Sequence, residues 1–233
     1  VAVLSFIFMQ LAPGGPDTDV VEVELEGVTV RSPEGRALVE DVSFTIHKGE
    51  VVGIAGVEGN GQHQLIGAIL GLDKLDAGTI RLGGEDMTHA STRERRDAGV
   101  GYIPQDRHRE GLLLESPLWE NAMLGHQYRA PFAKGTWIDA GGARQRTNEI
   151  IDEFDVRTPG VDVPAFALSG GNQQKLIVGR EVAAEPSFLI AAHPTRGIDV
   201  GAQAAVWDQL REARAKGLAV LLVSADLEEL IGL

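Results

Sequence analysis

The sequence predicts an α/β fold, with a mostly parallel core sheet, an antiparallel β layer beside it and a helical subdomain. Three observations carry that expectation. Four short unbroken apolar runs, Val51 to Ala55, Gly99 to Ile103, Phe188 to Ala191 and Ala219 to Val223, have the composition of strands buried on both faces, as parallel strands are. Residues 21–30 alternate apolar with charged side chains, the period of a half-buried strand. Helix-leaning stretches fill the intervals between the apolar runs.

Taken in order, the opening apolar segment Val1 to Met9 is shorter than the roughly 20 residues that a membrane-spanning helix needs. It lacks a basic start and runs into Pro13-Gly14-Gly15-Pro16, so it does not read as a signal peptide. Residues 1–19 read as a linker and 20–233 as the folded part. Val42 to Ile46 pairs with the strand at 21–30, and Thr79 to Leu82 extends that antiparallel layer. The run Val51 to Ala55 enters a glycine-rich loop and then a helix over Leu65 to Leu70. Residues 107–178 form the helical subdomain, with helices at Leu118 to Leu124 and Ala143 to Phe154 and a loop marked by Pro131 and Gly135. A helix follows Ser169, and another spans Val206 to Ala215. No internal repeat is evident.

Composition narrows the function classes. Thirty-four acidic residues against 21 basic ones give a net charge of −13, which argues against a general nucleic-acid binder. The chain has no cysteine, hence neither a disulfide framework nor a thiolate metal site. A hydrophobic content of 43% suffices for one sizeable core, or one core with an attached subdomain. His47, His89 and His126 show no ligand spacing and are expected on the surface.

Two loops carry the chemistry. Leu168-Ser169-Gly170-Gly171-Asn172-Gln173-Gln174-Lys175 puts a hydroxyl and bare glycine N–H groups at a helix N-terminus, which attracts anions. A plain helix cap is the alternative. Gly56-Val57-Glu58-Gly59-Asn60-Gly61-Gln62-His63 follows the phosphate-loop template G-x-x-x-x-G-K-[ST] with both functional positions changed. Gly56, Glu58, Gly59, Asn60, Gly61, Gln62, His63 and Gln64 would line a phosphate there. Gln62 replaces the lysine that neutralises phosphate, and a neutral amide bonds more weakly than a charged donor. His63 replaces the hydroxyl that holds magnesium, for which imidazole is a poor substitute. The alternative here is a glycine-rich turn in an ordinary α/β unit.

The octet at 168–175 resembles the signature motif of ATP-binding cassette (ABC) ATPases, and the fold implied is of the P-loop NTPase type. Phe188-Leu189-Ile190-Ala191-Ala192-His193-Pro194-Thr195-Arg196-Gly197-Ile198-Asp199 is similar to the Walker B strand and D-loop of that family, with Ala192 and His193 where the family carries its two carboxylates. Ala225 falls where the switch histidine belongs. The Q-loop glutamine, Gln105, is in place, while Ser32 or a neighbour lies where an adenine-stacking aromatic is usual. The resemblance therefore implies no catalytic residue intact in cis. Leu168, Ser169, Gly170, Gly171, Asn172, Gln173 and Asp199 are implied to act in trans on ATP held with Mg2+ by a partner. The strip Arg107 to Leu114 is implied to receive a coupling helix of the membrane subunit, or is a solvated charge run.

Asn172-Gln173-Gln174-Lys175 and the run Pro194 to Ala202 look like bacterial carbohydrate and nucleoside importers. Ala191-Ala192, Pro194-Thr195-Arg196-Gly197, Gly59-Asn60-Gly61-Gln62 in the phosphate loop and Phe154-Asp155-Val156-Arg157-Thr158 look more like the nucleoside branch. On that resemblance the chain is the second of two fused cassettes, residues 1–19 are a linker remnant, and the end at Leu233 falls short of a full cassette. A sheet edge left open there would lower stability. The implied partners are a second cassette packed head to tail, membrane permease subunits and, indirectly, a substrate-binding protein, with no nucleic acid. The implied location is peripheral, on the cytoplasmic face of the plasma membrane. Two other readings stay open: an autonomous weak ATPase in which Gln62 or His193 stands in for missing groups, and a regulatory ABC protein without a transport role.

Overall fold

The computed structural model describes residues 6–12, 20–56, 59–226 and 229–230. In chain order the first elements are β1 (Phe6–Ala12), β2 (Val21–Arg31), β3 (Ala37–His47), β4 (Val51–Gly56), α1 (Gln62–Leu70), β5 (Ala77–Leu82), β6 (Glu85–Asp86), α2 (Thr92–Asp97) and β7 (Val100–Ile103). A single π-helical turn, Arg107–Gly111, precedes α3 (Leu118–Ala122), β8 (Ala133–Lys134), β9 (Trp137–Ile138) and α4 (Ala140–Glu153). A 3-10 turn at Ala165–Ala167 leads to α5 (Gly170–Val182), β10 (Phe188–Ala192), α6 (Val200–Ala215) and β11 (Ala219–Ser224).

The chain forms two compact units. The first holds the described residues of Val1–Tyr102, Pro186–His193 and Arg211–Leu233. Its five-stranded sheet runs β1-β4-β11-β10-β7, and its antiparallel sheet runs β3-β2-β5-β6. β4 lies parallel to β11 and β11 parallel to β10, while β1 adds an antiparallel edge on β4. β10 and β11 are buried along their whole length, which is why they read as unbroken apolar runs instead of alternating ones. One core joins the sheets: Val23, Leu25, Ile46 and Ile80 meet Ile54, Ile190 and Leu221, with Leu65 and Ile69 of α1. Burying a leucine or isoleucine contributes about 1.5–3 kcal/mol, so α1 is held to the core mainly by its apolar face. Its C-terminal carbonyls are tied down by the buried Arg95, whose Nη1 donates to Ala68 O at 2.6 Å and Ile69 O at 2.7 Å.

The second unit, Ile103–Glu185 with Pro194–Leu210, is helical around a small hairpin. α4 and α5 approach closely at Gly179, where a Cβ would lie 2.8 Å from Ile150 Cγ2 and 2.9 Å from Phe154 Cγ. Arg180 and Glu181 are buried as a pair with Nε and Oε1 2.9 Å apart. Arg180 Nη1 also donates to Gly111 O and Asn121 O, fixing the π-helical turn to α3. Among the described residues no helix is long and apolar enough to cross a membrane.

The predicted core strands match to within a residue or two, and the elements that differ do so for local reasons. A strand, β1, lies inside the segment read as linker. α6 starts at Val200 instead of Val206, because Asp199 Oδ1 accepts the Ala202 N–H at 3.0 Å and caps the helix early. α4 starts at Ala140 because Asp139 caps it through Gly142 N–H, despite two glycines in its first turn. Pro131 and Gly135 mark the β8–β9 hairpin, whose strands have two residues each. His126, expected on the surface, is buried at 6% exposure, whereas His89 is exposed and His47 half-buried.

Candidate functional site

Register places the chemistry of the first unit at the carboxyl ends of the parallel strands. Ala55 of β4 pairs with Ser224 of β11, and Val223 pairs with Ala192 of β10. The carboxyl ends of three parallel strands are thus level, and His193 and Ala225 directly follow two of them, while Gly59 to His63 follow the third along the chain. Ligands of open α/β sheets bind outside such ends.

In the loop, Gly61 sits at φ 100° and caps α1 with no side-chain bond, and Gly59 is also left-handed at φ 91°. A residue with a Cβ is disfavoured at either. Turns of this kind aim successive N–H groups inward as an anion nest. One of those groups is engaged within the chain: Gln62 turns back, and its Oε1 accepts the Asn60 N–H at 3.1 Å. Gln62 is buried at 8% exposure, Gln64 is half-buried, and His63 is exposed. Glu58 lies outside the described residues.

The Ala192 side chain offers no polar atom and the residue is buried at 1% exposure. His193 follows at φ 47°, and its N–H donates to Val223 O at 2.9 Å. Its Nδ1 lies 3.5 Å from Ser224 Oγ and 3.7 Å from Glu229 Oε2. Ser224 Oγ donates to Glu229 Oε2 at 2.5 Å and accepts the Asp226 N–H at 2.9 Å. The partly buried His193 and the buried Ser224 and Glu229 thus form a polar cluster beside the exposed Ala225. Sequence reading did not single out Ser224 or Glu229. Glu229 sits in an acidic run that looks solvated, and only folding turns it inward.

The second unit carries the octet. Ser169 is exposed and caps α5, its Oγ accepting the Asn172 N–H at 3.4 Å and the Asn172 amide at 3.0 Å. The Gln173 N–H, bonded to Ser169 O, starts the helical ladder. The N–H groups of Gly170 and Gly171 precede it, as first-turn donors do. Asn172 Oδ1 accepts the Arg157 N–H, and Leu168 is buried behind the turn. Asp199 packs against this turn: a Cβ on Gly171 would lie 2.9 Å from Ala202 Cβ and 3.3 Å from Asp199 Oδ2. Lys175 reaches Asp155 Oδ2 at 2.7 Å and holds that carboxyl below the usual aspartate range. Gln105 is half-buried in this second unit. Beside it, Arg107 donates to Arg196 O and Gly197 O, a link that only its position after the glutamine could have suggested.

The structure therefore puts Gly59, Asn60, Gly61, Gln62 and His63, with His193 and Ala225, beyond the carboxyl ends of the parallel strands of one unit. It brings Leu168, Ser169, Gly170, Gly171, Asn172 and Gln173 together with Asp199 in the other unit.

A family described as ABC transporter matches residues 39–196. The guanosine import ATP-binding protein NupO of Bacillus subtilis is 46% identical over 218 residues, which cover 94% of this chain and 42% of that protein. The nucleoside import ATP-binding protein NupA of Lactococcus lactis is 40% identical over 228 residues, covering 98% of this chain and 44% of that one. The chain thus spans less than half the length of these curated relatives. In fold, the dimeric structure of MJ0796, a bacterial ABC transporter cassette, superposes with a TM-score of 0.76 at 23% identity, covering 90% of each chain.

Proposed function

The chain belongs to the ABC transporter family, and on that premise we propose that it is an ATP-binding cassette of a nucleoside importer, with sugars as the next substrate class. It serves its partner's ATP site and holds ATP weakly at its own. The observation that carries the asymmetry is the placement of intact and altered residues. Ser169, Gly170, Gly171 and Asp199 gather in one unit, and Gln62, His63, Ala192, His193 and Ala225 in the other. Residues 107–178 are read as the helical subdomain that presents Ser169, Gly170 and Gly171, with Asp199 following in the same unit.

At this chain's own loop the residues do not fit magnesium phosphate. Gln62 Oε1 already accepts the Asn60 N–H, no lysine is present to neutralise phosphate, and Ala192 brings no oxygen. The His193–Ser224–Glu229 cluster ties the ends of β10 and β11 to one another, which gives it a packing role. No catalytic step is assigned to it.

The N-terminus of α5 does fit an anion. An exposed hydroxyl and two glycine N–H groups converge there, and the helix dipole favours negative charge. A second cassette packed head to tail would present its nucleotide to Ser169 and Gly171. Bound ATP would supply the phosphoryl group, and its Mg2+ would neutralise the charge that develops there. Ser169 and the glycine N–H groups then stabilise that charge, which is worth most where water is excluded. Permease subunits couple closure to transport at the cytoplasmic face of the membrane. The substrate assignment rests on NupO and NupA, whose names specify guanosine and nucleoside import.

Magnesium-dependent ATP turnover of this cassette alone, then paired with its partner, tests the reading. It predicts silence alone, turnover in the pair, and loss when Ser169→Arg is introduced into this chain. Turnover by the isolated chain contradicts it.

A further inference from the structure

We infer that Arg107 is a positioning residue that locks the D-loop onto the signature turn, so that Ser169 and Asp199 act as one rigid block; the inference rests on the trans role proposed above. Three donors of its guanidinium leave in different directions. Nη1 donates to Arg196 O at 2.9 Å and Nη2 to Gly197 O at 3.3 Å, two successive carbonyls just before Asp199. Nε faces Gln173 Oε1 at 3.4 Å, which His108 Nε2 also approaches at 2.9 Å.

Gln173 carries the link to the signature. Its N–H bonds to Ser169 O, and its Nε2 donates to Ala165 O at 3.1 Å in the turn that precedes the octet. It is buried at 5% exposure, so its amide has one orientation to offer. Gly170 makes room for the arrangement: a Cβ there would lie 2.9 Å from Arg107 Nη2 and 3.5 Å from Gly197 O. The glycine of the signature turn is therefore needed for the inward approach of Arg107 as well as for any anion outside.

The platform beneath Arg107 is itself fixed. Asp106 Oδ1 accepts the N–H groups of His108 and Arg109 and winds the π-helical turn. Gly111 at its end is bonded through its carbonyl to Arg180. Only a planar fork with five donors can hold two adjacent carbonyls and a side-chain amide at once. A lysine ammonium can satisfy one of them in this geometry.

The test uses the chain assembled with its partner cassette, in Arg107→Lys, Arg107→Ala, Ser169→Ala and Ser169→Arg variants and in the combination of Arg107→Lys with Ser169→Ala. Maximal ATP turnover, ADP affinity and amide hydrogen exchange across residues 168–173 and 196–199 are measured. Arg107→Lys is expected to lower turnover at least about tenfold, the size of effect expected when a charge-assisted bond is lost. ADP affinity stays within about twofold, since ADP lacks the γ-phosphate that the signature turn meets. Exchange accelerates in both segments. On the Ser169→Ala background the further loss is small, because residues that act through one another are non-additive. Wild-type turnover in Arg107→Lys, an equal loss on both backgrounds, or unchanged exchange overturns the inference. If Arg107→Ala does not fold, Arg107→Lys carries the test. Ser169→Arg without effect overturns the trans reading itself, and the inference with it.

Discussion

Replacing Gln62 with lysine restores the charge that phosphate loops use, at a cost that can be worked from the geometry. The substitution removes the oxygen that accepts the Asn60 N–H at 3.1 Å and places an ammonium where only 8% of the residue is exposed. An unsatisfied buried donor costs about 1–3 kcal/mol, and the half-burial of Asn60 puts this case in the lower part, about 1–2 kcal/mol. For a chain of this length each kcal/mol moves Tm by roughly 2–4 °C, so ligand-free Gln62→Lys should melt about 2–8 °C below wild type. A ligand at a hundred times its Kd returns about 2.7 kcal/mol, enough to offset that loss. The assay is thermal unfolding with and without ATP. Wild type should barely respond, and Gln62→Lys should start lower and rise with nucleotide. A rise of several degrees in wild type, or an unshifted ligand-free Tm in the variant, refutes the argument that Gln62 closes the loop on itself.

Other consequences follow from buried and exposed ion pairs away from the phosphate loop. Arg180→Met leaves Glu181, 0% exposed, without its guanidinium, and should cost about 3–5 kcal/mol, read as a lower urea midpoint. By contrast, Lys216→Ala in the exposed pair with Glu212 should change stability by no more than about 0.5 kcal/mol. Because the folded Asp155 carboxyl stays charged to lower pH than in the unfolded chain, it contributes stability that is full above the unfolded value, about 3.9. That contribution is lost as pH falls through the lowered folded value. Asp155→Asn should flatten this part of an acid titration of stability, and an unchanged acid limb would contradict the assignment.

The parallel core was legible because burial on both faces writes itself as unbroken apolar runs, and β10 and β11 are buried throughout. The capped start of α5 was legible because Ser169 and its glycines have a local reason to be together. What was not legible depends on distant partners. β1 carries no alternation, and it becomes a strand because β4 offers it an edge. The π-helical turn needs Asp106 to cap it and Arg107 to be drawn toward Arg196, 89 residues away. The inward turn of Gln62 onto Asn60 is a rotamer choice that no spacing encodes. His126 is buried for reasons of tertiary packing that a lone histidine in a polar stretch does not announce.

The proposed asymmetry between two ATP sites is tested most directly by counting nucleotides. Equilibrium binding of ATP with magnesium to the assembled cassette pair should saturate at one tightly bound nucleotide per pair, and the tight site should disappear when the partner's phosphate-loop lysine is replaced. Two equally tight sites, or a tight site that survives that replacement, would contradict the account.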